Sequence, residues 1–254
     1  MHTTTLLSDS NPRIGRLIGV SLGPGDPDLI TRRAWALLKT HSHWRYPISQ
    51  AGAESYALNI IHRAGLAIPA AAAPLHFPMT RDPTALAAAW LHAGQTCLTP
   101  LLHGHDVLFL VEGDASTYST FGHLARTVRS LAPQVTVEII PGITSFHAAA
   151  AALTTPLVEQ NDTLIIAAAT ADMTTIARHL DQADTLVLLK IKPVLPQVLD
   201  LLRQRGVLAQ AQLVEHVGSP DERIVRDLQQ WSGAPVAYLS LLIVRNSHTQ
   251  SGCH

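Results

Sequence analysis

The sequence predicts an α/β protein, one large domain or two small ones, built of repeated β-α units in its first half and ending in an antiparallel part of the sheet. Three observations predict it. Apolar runs of strand length alternate with segments of helical spacing along most of the chain. Several of those runs end in short loops of Gly, Pro, Asp or hydroxyl residues, the form in which α/β proteins build ligand sites. The late strand-like runs 212–217 and 236–244 follow one another without a long helix between them, so this part of the sheet should be antiparallel.

Taken in order, residues 16–22 form a strand candidate and 23–28 a turn, after which Leu29, Ile30, Ala34, Leu37 and Leu38 mark one helical face. Asp26-Pro27-Asp28 suits the start of that helix: Asp can cap, Pro fits the first helical position, and a second acid meets the positive helix end. Residues 44–48 read as a second, weaker strand, and 55–64 as a helix with Tyr56, Ile60 and Ala64 in spacing. Then come a strand at 74–79, a long Ala/Leu-rich helix at 84–102, and a strand at 107–111 apolar enough to be buried on both faces. A helix over 118–130 and a β-branched strand over 135–140 end at Pro141-Gly142, and an Ala-rich helix follows at 144–153. The second half continues with strand 163–168, helix 172–180, strand 185–190 and helix 193–205, and 220–227 connects the last two strands. There is no Ser/Gly linker, and any domain boundary near residues 135–142 must be short.

Composition excludes several classes. The 254 residues are 47% hydrophobic and 15% charged, the balance of a chain that buries a core. A formal net charge of −1 gives no general attraction for nucleic acid, so any anion site must be built locally. No apolar stretch reaches the roughly 18 residues of a membrane span. The first 12 residues are polar and lack the basic and apolar regions of a leader. Cys97 and Cys253 are the only cysteines, which argues against a structural disulfide and for a reducing cytoplasm. Histidines number 14, but the pairs His41/His43 and His103/His105 have no third ligand at metal-site spacing, so no metal is expected.

Three loops carry the candidate chemistry. Gly23-Pro24-Gly25-Asp26 lacks the third glycine of a dinucleotide fingerprint and puts a carboxylate where a phosphate would meet the helix end. Taken alone it is a tight turn before a capped helix. Glu112-Gly113-Asp114 is followed by Ala115-Ser116-Thr117-Tyr118-Ser119-Thr120, rich in hydroxyls with one aromatic, which suits a polar ligand with an apolar body. Pro141-Gly142-Ile143-Thr144-Ser145 again follows a strand. Lys190 and Lys192 end an apolar run; in extended chain both would face one side and could share an anion, or simply be solvated. No G-x-S-x-G elbow supports a serine hydrolase, and nothing singles out His123 or His147 as a base.

In this order and spacing the loops resemble the tetrapyrrole methylases, S-adenosylmethionine-dependent enzymes that include those of the cobalamin pathway. The resemblance rests on Gly23-Pro24-Gly25-Asp26-Pro27-Asp28-Leu29, on Glu112-Gly113-Asp114 with Tyr118, and on Pro141-Gly142-Ile143-Thr144-Ser145-Phe146, with Pro156-Leu157 and Val214-Glu215 also fitting. It spans about residues 16–244. Tyr118-Ser119-Thr120-Phe121, with Pro78-Met79-Thr80 and residues 85–90, is most similar to the branch that methylates precorrin-2 at C20. Ala115 stands where the family usually has proline, which leaves the loop less constrained.

The resemblance implies two αβα domains of the class III methyltransferase type with a cleft between them: after a flexible tail over 1–14, an N-terminal α/β domain over 15–138 on a mainly parallel sheet and a C-terminal one over 139–248 on a mixed sheet. It also implies a cytoplasmic homodimer acting on a small-molecule tetrapyrrole. It implies conversion of precorrin-2 to precorrin-3A in cobalamin biosynthesis, with S-adenosylhomocysteine as the second product. Carried over by position, the cofactor contacts are Pro24, Glu112, Gly113, Asp114, Thr117, Thr144, Ser145, Lys190 and Val217, largely through backbone groups. Glu112, Asp114 and Tyr118 are the residues expected near the reacting centre. Arg32, Arg33, Arg81, Lys190 and Lys192 are candidates for the substrate carboxylates. The alternatives are a sister methylase acting on a cobalt-containing substrate, a non-catalytic module that kept the pocket, and, more remotely, a nicotinamide dehydrogenase.

Overall fold

The computed structural model describes residues 13–50, 52–80, 82–169 and 172–246. Residues 1–12 of the expected tail over 1–14, Arg81 and Cys253 lie outside them. Two compact units divide the chain, one of Met1–Gly23 with Pro27–Gly142 and one of Pro24–Asp26 with Ile143–His254.

The first unit runs β1 (Leu17–Ser21), α1 (Arg32–Thr40), β2 (His43–Ile48), α2 (Tyr56–Arg63), β3 (Ala73–His76), α3 (Pro83–Leu102), β4 (Val107–Val111), α4 (Phe121–Leu131) and β5 (Val137–Ile140). Its five strands are all parallel in the order β3-β2-β4-β1-β5. Alternate residues of the central strands face opposite ways. Ile18, Val20, Leu108 and Leu110 pack with α1 and α2 through Ala34, Leu38, Ile60 and Ile61. Leu17, Val107 and Phe109 pack with α3 and α4 through Cys97, Leu101, Phe121 and Leu124. The ring of Phe121 lies over Gly19, where an added Cβ would come within 2.7 Å of it. The helices that follow the adjacent strands β1 and β4 thus cover opposite faces. Such a reversal leaves a crevice at the carboxyl ends of the two strands.

Two helix starts differ from the sequence expectation. Asp26-Pro27-Asp28 opens only a 3-10 turn, Pro27–Leu29, closed by Ile30 N–H donating to the Pro27 carbonyl at 3.1 Å. Thr31 then turns extended and caps α1 by accepting from Ala34 N–H. Likewise α4 begins at Phe121 rather than Tyr118, because Tyr118 has φ +49°, outside the right-handed helical region.

The second unit runs α5 (Ser145–Leu153), β6 (Leu164–Ala168), α6 (Met173–Gln182), β7 (Thr185–Leu189), α7 (Leu195–Gln204), β8 (Ala211–Glu215), β9 (Arg223–Val225) and β10 (Ser240–Arg245). The strand order is β6-β7-β10-β8-β9. β6 and β7 are parallel, while β10 runs antiparallel to both β7 and β8, and β9 antiparallel to β8, the antiparallel end expected from the missing late helices. α6 and α7 cover one face and α5 the other. The expected connector over 220–227 contains β9, a three-residue edge strand that pairs with β8 and whose Arg223 is ion-paired to buried Glu215. The last strand starts at Ser240, four residues later than its apolar pattern suggested; Val236 is buried without pairing.

Among the described residues no helix is long and apolar enough to cross a membrane.

Candidate functional site

At the carboxyl edge of the first sheet, three chain segments meet backbone to backbone. Gly23 and Gly113 exchange two hydrogen bonds, of 3.2 and 2.7 Å, joining the ends of β1 and β4. Gly113 has φ +72°, a conformation natural to glycine, and the space where a Cβ would stand is open. Gly142, just past β5, has no such space. A Cβ there would collide with that of Ser21 and lie 2.8 Å from the Gly113 carbonyl. The strand ends approach so closely because these positions carry glycine.

Asp114 ties the segments together. One carboxylate oxygen accepts from Gly142 N–H at 2.8 Å, and the other from Ser116 N–H at 2.8 Å, from the Ser116 hydroxyl and from Thr117 Oγ1 at 3.4 Å. Burial alone would push this carboxyl up, but the bonds from Ser116, Gly142 and Thr117 outweigh it and hold it below the usual range. Next to it, the Ala115 N–H donates to Ser21 Oγ at 2.9 Å. A proline at position 115 has no N–H to make that bond. The chain therefore fixes the loop to β1 by a hydrogen bond where a proline ring would restrict it covalently.

Glu112 is of a different kind. It is half-buried, and no described residue offers its carboxylate a hydrogen bond or an ion pair. Burial pushes the carboxyl up to about 7. A group with this property holds a proton at neutral pH as readily as it releases one. Two residues past the hydroxyls of Ser116, Tyr118 is half-exposed in its left-handed conformation. The structure thus groups Glu112, Gly113, Asp114, Thr117 and Tyr118 on one loop of the first unit.

The remaining cofactor-contact candidates belong to the second unit. Pro24 and Val217 are brought together: a Cβ on Gly25 would lie 2.5 Å from the Val217 carbonyl, and one on Gly218 would lie 2.8 Å from Asp26 N. Thr144 caps α5, and its Oγ1 also meets His147 Nδ1 at 2.7 Å; Ser145 is the first residue of that helix. Lys190 departs from the extended chain assumed for it. Its φ is +57°, and Lys192 begins a 3-10 turn, so the two lysines do not share one side of a strand. Of the basic candidates, Arg33 is paired with Glu138, while Arg32, Lys190 and Lys192 are exposed. His123 meets Arg126 at 3.0 Å and stacks on Trp90. Motif reading missed Ser21, Gly142 and Gly218 as individual contact points. A serine closing an otherwise apolar strand was the available signal for the first.

Comparison with known proteins identifies the family. A family model for tetrapyrrole (corrin/porphyrin) methylases matches residues 16–230. A cobalt-precorrin-2 C(20)-methyltransferase of Salmonella typhimurium is 33% identical over 231 residues, covering 91% of this chain and 96% of the relative. A precorrin-2 C(20)-methyltransferase of Sinorhizobium sp is 30% identical over 240 residues, covering 91% and 95%. Among solved structures, the methyltransferase CobJ superposes with a TM-score of 0.65 at 19% identity, covering 92% of this chain and 95% of that one. The Thermus thermophilus uroporphyrin-III C-methyl transferase complexed with S-adenyl homocysteine gives 0.61 at 22% identity, covering 91% and 97%.

Proposed function

The chain belongs to the tetrapyrrole methylase family, and from that premise we propose that it methylates precorrin-2 at C20, giving precorrin-3A in cobalamin biosynthesis. One observation carries the ring position: the C(20)-methyltransferases match nearly end to end at 30–33% identity. The Salmonella relative favours a second reading, in which the same carbon is methylated on a cobalt-containing substrate. Action as a cytoplasmic homodimer belongs to the same proposal.

S-adenosylmethionine, when bound, supplies an electrophilic methyl group on a sulfonium. The residues present suit such a molecule. Above Gly113 the space is open, and among the described residues the neighbouring Glu112 carboxylate has no hydrogen-bond or ion-pair partner. In this reading Gly113 lets backbone approach the cofactor, and Asp114, through Gly142 and Ser116, holds the loop in place. Thr117, Pro24, Thr144, Ser145, Lys190 and Val217 are proposed as further contacts. Positioning supplies most of the acceleration, because C20 of a reduced tetrapyrrole is already electron-rich.

Bond formation at C20 leaves a proton to be removed. Glu112 is the group proposed to take it, since Asp114 already accepts four hydrogen bonds and its proton affinity is low. Tyr118 is assigned to substrate positioning beside it. Incubation of purified protein with S-adenosylmethionine and either precorrin-2 or its cobalt complex, followed by mass spectrometry, tests the proposal. One methyl gained from either substrate supports it and selects between the two readings. Cofactor binding without turnover of either overturns it.

A further inference from the structure

The solvent side of α3 carries an uncovered heptad seam, and we infer that a second copy of this chain packs on it, α3 against α3, antiparallel about a two-fold axis near residue 93. Helix α3 spans 20 residues without one Asp, Glu, Lys or Arg. Its inner face, with Ala93, Cys97 and Leu101, is buried in the first unit's core. Its outer face presents Thr84, Ala88, Leu91, Gln95, Leu98 and Leu102, spaced 4-3-4-3-4. That is the spacing of a coiled-coil seam, over about 27 Å of helix. Leu98, at the edge of the seam, is half-buried against the first unit's own core, and the others are exposed, with Leu91 at 44% and Leu102 at 49%. Leu131 of the adjoining α4, at 40%, continues the apolar surface. A surface helix ordinarily turns charged residues to water, as α1, α4, α6 and α7 do with arginines, lysines or aspartates.

The order of residues along the seam favours a second copy over an unlike partner. A two-fold contact must be complementary to itself. When the helix is reversed about position 93, Thr84 faces Leu102, Ala88 faces Leu98 and Leu91 faces Gln95. The two outer pairs set a small side chain opposite a leucine, so the surfaces interdigitate. The parallel arrangement would instead stack leucine on leucine and leave gaps at Thr84 and Ala88. Because the helix bears no formal charge, bringing two copies together incurs no repulsion along the seam.

This inference rests on the homodimer in the proposed function but is separable from it. Sedimentation across a dilution series reads the oligomeric state of the wild type and of the variant Leu91→Glu/Leu102→Glu. Removal of four leucine contacts and introduction of four carboxylates should raise the dimer dissociation constant at least about a thousandfold. Circular dichroism should be unchanged, because both side chains are half-exposed. Oxidation of the variant Ala88→Cys/Leu98→Cys, made with Cys253→Ser, provides an independent reading: it should give a covalent dimer, and neither single cysteine variant should. A wild-type dimer with no cross-link overturns the seam while leaving the homodimer standing. A wild type that is monomeric at every dilution overturns both.

Discussion

Replacing Glu112 with glutamine preserves the size of the side chain and removes its ability to ionise. Burial raises this carboxyl from 4.5 to about 7, which corresponds to about 3 kcal/mol of disfavoured charge at about 1.4 kcal/mol per pH unit. The sign follows from which state ionises first. Below 4.5 both folded and unfolded chains carry the proton, and the site costs nothing. Between 4.5 and about 7 the unfolded chain ionises first, so folded stability falls as pH rises, and above about 7 the loss is complete. Glu112→Gln escapes this loss. With about 2–4 °C per kcal/mol for a protein of this size, its melting midpoint should exceed the wild type's by roughly 6–12 °C near about pH 8.5 and agree within about 2 °C near about pH 4. Activity should move the other way. Loss of the proton acceptor should lower kcat by about a hundredfold to ten-thousandfold and remove the limb of the pH–rate profile near about 7. Differential scanning calorimetry and initial rates across pH measure both. A variant less stable than wild type near about pH 8.5, or one that keeps the limb, would refute the role given to Glu112.

Gly142→Ala forces a Cβ against Ser21 and the Gly113 carbonyl; it should cost about 1–3 kcal/mol in urea unfolding and weaken S-adenosylhomocysteine binding at least about tenfold by calorimetry. Gly113→Val should keep the fold, because the space is open, at about 1–2 kcal/mol of left-handed strain. It should also abolish cofactor binding, and unchanged affinity would remove that loop from the proposed contacts. Asp114→Ala strands the Gly142 N–H and should cost about 1–3 kcal/mol at neutral pH. Since the native carboxyl is held below 3.8, its stabilising effect is present above that pH and lost as pH falls through the lower folded value. Acid titration of wild type and variant should therefore converge at low pH.

Elements defined by their own residues were legible in the sequence. β4 is apolar at all five positions and is buried at all five, and Ser55, Asp82, Thr144 and Asp172 each cap the helix they precede. The antiparallel end of the second sheet was equally plain, because two strands with no helix between them have no route to parallel pairing. What depended on distant contacts was not legible. α1 starts at Arg32 because Thr31 takes up its free N–H, although Asp26-Pro27-Asp28 offers the stronger local signal. β9 exists through its pairing with β8 and the Arg223–Glu215 ion pair, eight residues apart. Lys190 looked extended, but left-handed backbone ends β7 at Leu189. At the site, the motif named the loop, while the difference between its two acids came only from surroundings. Asp114 meets Gly142, 28 residues away, and Glu112 meets no polar partner among the described residues. Nor could the sequence show that Ala115 N–H reaches Ser21, 94 residues earlier.

The most direct test of the account follows the methyl group itself. S-adenosylmethionine carrying a 13C-labelled methyl should be incubated with precorrin-2, or its cobalt complex, and the wild-type protein or Glu112→Gln. The account predicts one labelled methyl on C20 of the product by NMR, formed rapidly by wild type and at least about a hundredfold more slowly by the variant. Label at any other ring position, or equal rates for the two proteins, would contradict it.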